Sequence, residues 1–188
     1  MNPQNIILKS IDDHQAAVTA LGRMVPEIEV LAIRLKQCLA GGGKIVLMGN
    51  GGSAADCQHI AAELVGRFKR ERRGMPALAL TTDTSILTSI GNDYGFEHVF
   101  ARQVEALCGP NDVLIGISTS GNSGNVVRAI ETGKQLGIYC VGLLGGNGGK
   151  LAEVCDMSLV APVAETARIQ ELHILIGHIL CDLLEADA

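Results

Sequence analysis

An α/β fold with a parallel sheet is predicted by three features of this sequence. From residue 44 onward, short apolar runs alternate with helical patterns, as a sheet wound by right-handed crossovers requires. Two of those runs, Ile45–Met48 and Asp112–Ile117, lead into turns of Gly, Asn and Ser. Aromatic residues make up 3% of the chain against 47% hydrophobic residues, and glycines number 23, so the core is aliphatic and the loops are glycine-rich. The 188 residues suit one domain spanning 1–188, with helices in 1–43 ahead of an α/β core in 44–188.

The elements follow in order. Residues 4–21 carry Ile6, Ile7, Ile11, Ala17, Val18 and Leu21 at helical spacing. A second helix starts near Pro26, a residue suited to a first helical turn, and runs through Leu39 to the stop Gly41-Gly42-Gly43. The first strand is Ile45–Met48, the turn is Gly49–Ser53, and an amphipathic helix carries His59, Glu63 and Arg67 at i, i+4 and i+8 on one face. Gly66–Met75 reads as a charged loop and Pro76–Leu80 as the second strand. Thr81-Thr82-Asp83 caps a helix over Ser85–Ile90, Gly91–Gly95 is a polar turn, and Phe96–Leu107 is a helix with Val99, Val104 and Leu107 inward. Asp112–Ile117 is the third strand, followed by Ser118–Gly124 and a helix over Asn125–Leu136. Ile138–Leu143, a short helix over Lys150–Val154, Met157–Val160 and a long helix from Glu165 to Glu185 complete the chain. These elements make a three-layer αβα sandwich whose five parallel strands fit the flavodoxin-like order 2-1-3-4-5. In such a sheet a ligand binds at the switch point, beyond the carboxyl ends of strands one and three.

Composition excludes several classes. A net charge of −5 argues against broad electrostatic binding of nucleic acid. The one basic cluster, Lys69–Arg73, is short, is interrupted by Glu71 and reads as a solvated loop. The six cysteines form no C-x-x-C pair and read as reduced thiols of a cytoplasmic protein. Met1–Ser10 lacks a long apolar core after a basic start, and the longest apolar run, Leu172–Leu184, contains His173, His178 and Asp182. Neither export nor a membrane span is therefore expected.

Two turns carry the chemistry. Gly49-Asn50-Gly51-Gly52-Ser53 opens a helix whose free N–H groups suit an anion. Ser118, Thr119, Ser120 and Ser123 place four hydroxyls within six residues at a second helix start, more than a helix cap needs. Phosphate is the anion that such hydroxyls and N–H groups bind without a fixed positive charge. A nucleotide cofactor is not expected. Gly49-x-Gly51-x-x-Ala54 meets only the loose dinucleotide fingerprint, with Asp83 too late for its acidic residue, and Lys150 is followed by Leu151 rather than Ser or Thr. Taken alone, His59, Glu63 and Arg67 also fit an ordinary solvated helix face. His173 reads as a satisfied core or surface histidine. Gln170 and His178, eight residues apart, lie on about one face of the last helix.

The combination of GNGGSA, STSGNS and RIQELH resembles the sugar isomerase (SIS) domain family. AELVGR, GNDYGF and RIQE with a late histidine resemble its phosphoheptose isomerase branch, over nearly the whole chain. The resemblance implies a ketose–aldose isomerase that converts sedoheptulose 7-phosphate to D-glycero-D-manno-heptose 7-phosphate, a step supplying heptose for lipopolysaccharide. It implies that Ser53, Ser118, Thr119, Ser120 and Ser123 hold phosphate. Asn50, Gly51, Gly52, Arg67, Asn92, Asp93 and Gln170 would contact the sugar or shape the pocket, and Glu63 and His178 would be the acid/base pair. His59, Glu63, Gln170 and His178 match positions that hold zinc in some members, and the family assembles as a homotetramer with sites at subunit interfaces. Glu63 and His178 are therefore expected to meet from different chains. Ala167 stands where some of these enzymes have Asp, so one sugar contact is absent or supplied otherwise. Other SIS proteins are non-catalytic, one of them associating with the bacterial replication initiator. They lack the Glu and late His pair that this sequence keeps.

Overall fold

A computed structural model describes residues 2–186. Helices α1 (Pro3–Leu21) and α2 (Val25–Ala40) precede β1 (Ile45–Gly49), α3 (Gly52–Val65) and β2 (Ala77–Ala79). Then come α4 (Thr84–Asp93), α5 (Ala101–Leu107), β3 (Val113–Ser118) and α6 (Gly124–Gln135). The chain ends in β4 (Tyr139–Leu144), α7 (Gly149–Val154), β5 (Met157–Val160) and α8 (Thr166–Glu185). All pairings are parallel, and the sheet order is β2-β1-β3-β4-β5, as the sequence predicts.

The central strands are buried on both faces, so they read as unbroken apolar runs. Their alternation still sorts the core. Ile45, Leu47, Ile115, Ile117, Val141 and Leu143 face α1, α2, α3 and α8. Val46, Met48, Leu114 and Leu144 face α5, α6 and α7, with Leu87 and Ile90 of α4 packed alongside. Burial pushes the thiols of Cys140 and Cys181 up to about 12, and all six cysteines are free.

Three local expectations are corrected. Gly91–Asp93 is the last turn of α4 and not a loop, because Asp83 accepts from the Ile86 N–H (2.9 Å) and starts a helix that continues past Ile90. The segment over Phe96–Leu107 is a 3₁₀ turn, Phe96–His98, followed by α5. Leu107, expected inward, lies at the C-terminal end of α5 and is exposed, whereas Val99 and Val104 are buried. The apolar pattern of α1 is real but mostly unburied: Ala17 and Leu21 enter the core, while Ile6, Ile7 and Ile11 are about half exposed.

Candidate active site

β1 and β3 are neighbours, so their carboxyl ends deliver both glycine-serine turns to one place. Gly51 precedes α3 and Ser123 precedes α6 as the N-cap residues, and neither helix start is closed by a cap side chain. Ser123 instead shares a hydrogen bond with the Ser118 hydroxyl (2.9 Å). A reciprocal amide pair, Asn50 with Asn125 (2.9 and 2.8 Å), ties the two turns together. Asn50 is thus engaged in the scaffold, and the buried Asn125 is a structural partner that the sequence reading missed.

The geometry of the second turn depends on Gly121. Its φ is +67°, and a Cβ there would fall 1.9 Å from the Gly148 carbonyl oxygen. Ser53 and Ser118 are buried, Thr119 is half-buried and Ser120 is exposed, accepting from the Asn122 N–H (3.2 Å). Together the loops present hydroxyls and helix-start N–H groups at the switch point, a surface for a dianion.

Farther along α3 stands a second group. The Nε2 atoms of His59 and His178 lie 2.9 Å apart, and His59 Nε2 lies 3.3 Å from Glu63 Oε1. Each of the three residues offers a ligand atom within 4.8 Å of the others. One chain therefore brings Glu63 and His178 together, against the expectation that they come from different chains. Two glycines make this possible. Gly52 meets the Gln170 amide and Gly177 meets Ile60, so α3 and α8 run in the same direction in close contact. A Cβ on Gly177 would lie 2.5 Å from Ile60 Cδ1, so the present spacing of the two helices leaves no room for it unless Ile60 shifts.

The other predicted residues are distributed unevenly. Gln170 lies against Gly52, at the start of α3, about 10 Å along the helix axis from His59. Arg67 does not share the face of His59 and Glu63, because α3 ends at Val65 and Gly66 turns the chain. Its side chain is largely exposed, 3.8 Å from Glu71. Asn92 and Asp93, exposed at the end of α4, bond each other (2.8 Å), and among the described residues no hydrogen bond joins them to the loops. Ala167 is exposed in the first turn of α8. His173 is a core and not a surface residue, fully buried with Nε2 3.0 Å from the Leu144 carbonyl; burial lowers its pKa, and it is only half satisfied, since its Nδ1 has no hydrogen-bond partner.

Sequence reasoning missed Phe68, whose ring stacks on His178 (centroids 5.3 Å apart, planes 21° apart). The loop that presents Phe68 is held by Glu185. Oε1 accepts from the Phe68 N–H (2.7 Å), and Oε2 accepts from the Lys69 (2.8 Å) and Arg70 (2.9 Å) N–H groups. Burial alone would raise the Glu185 pKa, but these three donors, with Arg72 beside them, outweigh it and hold the carboxyl down at about 2.

Residues 12–145 match the family model described as SIS domain. A phosphoheptose isomerase of Geotalea daltonii is 56% identical over 95% of this chain and 94% of the relative. Two solved structures superpose with a TM-score of 0.93. The phosphoheptose isomerase GmhA of Neisseria gonorrhoeae is 44% identical over 98% of this chain and 100% of that one. A phosphoheptose isomerase of Francisella tularensis is 35% identical over 99% and 100%. The chain belongs to the SIS domain family and, within it, to the phosphoheptose isomerases.

Proposed function

We infer that this protein is a phosphoheptose isomerase, interconverting sedoheptulose 7-phosphate and D-glycero-D-manno-heptose 7-phosphate. The observation that carries this reading is α3 itself. Its start joins the hydroxyl-rich loops, and Glu63 lies ten residues beyond Ser53, about 15 Å along the axis. A seven-carbon phosphate in open form spans much of that distance. Ser53, Ser118, Thr119, Ser120, Ser123 and the helix-start N–H groups take the phosphate. The C1–C2 end then reaches Glu63 and His178.

Isomerisation moves one carbon-bound proton and one oxygen-bound proton. The Glu63 carboxylate takes a proton from C1, beside the C2 ketone, leaving an enediolate. It returns that proton to C2 as the C1 aldehyde forms. His178, 2.9 Å from His59, moves the other proton between O1 and O2. A role limited to binding would have no use for this acid/base group.

The same group suits a metal. Tetrahedral zinc with bonds of about 2.0–2.1 Å spaces its ligand atoms about 3.3 Å apart. The 2.9 Å between His59 and His178 and the 3.3 Å between His59 and Glu63 lie close to that. His59, Glu63 and His178 would hold zinc; as a ligand Glu63 would be a weaker base, so it would shift its coordination during turnover, or the metal would be structural. Gln170 would have to turn from Gly52 to complete the set. When bound, zinc polarises the sugar carbonyl as a Lewis acid or fixes the two helices.

The reading extends to one SIS domain working in the cytoplasm as a homotetramer. Among the described residues no helix is long and apolar enough to cross a membrane. Half-exposed Ile6, Ile7, Ile11, Val30 and Ile33 on α1 and α2 supply apolar surface for other subunits. A monomeric mass at micromolar concentration would refute the assembly. For the activity, the purified protein should turn over sedoheptulose 7-phosphate, assayed with and without added zinc. No turnover under either condition would refute the function.

A further inference from the structure

His178, Asp182 and Glu185 are spaced i, i+4 and i+7, so they form one stripe along the end of α8. The segment after α3 lies along this stripe residue by residue. Phe68 stacks on His178, Lys69 pairs with Asp182, and Glu185 collects the three N–H groups of Phe68, Lys69 and Arg70. The Lys69 ammonium also sits 5.0 Å from the centre of the Phe68 ring.

Arg72 closes the arrangement from the other side. Its guanidinium lies 3.0 Å from Glu185, with both side chains at least 97% buried. It also donates to the carbonyls of Glu63 (2.9 Å), Leu64 (2.8 Å) and Gly66 (3.0 Å). Those are the open carbonyls at the end of α3, where a cation is favoured. One buried ion pair therefore joins the ends of the two helices that carry His59, Glu63 and His178. The basic stretch that reads as a solvated loop in the sequence is thus partly internal.

We propose that Glu185, with Arg72, is a positioning residue for the reaction: it clasps the ends of α3 and α8 and holds Phe68 flat on His178, so that the imidazole keeps its Nε2 toward His59 and Glu63. The proposal rests on the isomerase reading for its effect on turnover, but not for its effect on the ring. An enclosed aromatic face stops rotation of the imidazole, and displacement of a reacting group by about 1 Å is enough to cost on the order of 100-fold in rate.

The test combines NMR with kinetics on the full chain. A phenyl ring stacked on an imidazole shields its ring protons, and Phe68→Leu reports where the His178 protons resonate without that shielding. In Glu185→Gln, which keeps Phe68, the His178 protons should move toward their Phe68→Leu positions. Both variants should lose about tenfold or more in kcat with KM for sedoheptulose 7-phosphate nearly unchanged. Wild-type His178 shifts in Glu185→Gln would overturn the proposal, as would full kcat after the shielding is lost. Should Glu185→Gln fail to fold, Arg72→Met/Glu185→Gln leaves no unpaired buried charge and is read the same way. If the wild type does not isomerise the sugar, the function fails while the NMR shifts still decide the positioning.

Discussion

The two ends of α3 are built by different means. At its start, the proposed function is local: two strand ends, two glycine-serine turns and two uncapped helix starts would supply an anion site largely from backbone and hydroxyls. Toward its other end, function is assembled over distance. His59 meets His178 119 positions away, and the loop after the helix is fixed by Glu185, 115 to 117 positions away. On this reading binding should persist where chemistry is lost, and the chemical end should depend on residues that the proposed substrate position does not reach.

The largest separation is expected from Glu63→Gln. It should lower kcat by about 1,000-fold, about 4 kcal/mol of transition-state stabilisation, with sugar-phosphate affinity nearly unchanged by calorimetry. Mixing it with His178→Gln subunits, after verified exchange, should restore nothing, since one chain supplies both groups. Recovered activity would mean that the two groups work across a subunit boundary.

Next in size is a break at the phosphate end. Gly121→Ala forces a positive φ on alanine and a Cβ into the Gly148 carbonyl. It should cost at least about 2 kcal/mol in a denaturant titration, and weaken sugar-phosphate binding as well. An unchanged midpoint would show that this turn adapts.

Replacing Ser118 and Ser120 together with Ala should raise KM about tenfold while kcat stays within about twofold. Unchanged affinity would remove these hydroxyls from the phosphate site.

A further test concerns acid stability. Glu185 is held at about 2 in the folded chain against an ordinary 4.5. A depressed carboxylate stabilises the fold above its unfolded pKa and loses that contribution as pH falls through its folded one. Wild type should therefore lose more melting temperature than Glu185→Gln between pH 4.5 and pH 2. Parallel curves would deny the carboxylate its role.

This contrast also explains what was legible in the sequence. Strand order and the hydroxyl loops could be read because apolar runs and turn residues act over a few positions. Arg67 was misplaced on α3 because helical spacing was carried through Gly66, where the chain turns. Asn92 and Asp93 read as loop in the sequence because Gly91 looks like a stop, although the Asp83 cap and packed Ile90 carry the helix past it. His178 was singled out only by resemblance, and neither Phe68 nor Glu185 carries a local signal. The glycine at 177 was the available clue, since a Gly inside a long helix marks close packing.

The most direct test of the division along α3 is proton exchange in heavy water. Wild-type protein given sedoheptulose 7-phosphate should introduce deuterium at C1 of the recovered ketose and at C2 of the aldose. Glu63→Gln should bind the same sugar phosphate with near wild-type affinity and introduce none at either carbon. Deuterium entering at the wild-type rate in that variant, or loss of binding by it, would contradict the account.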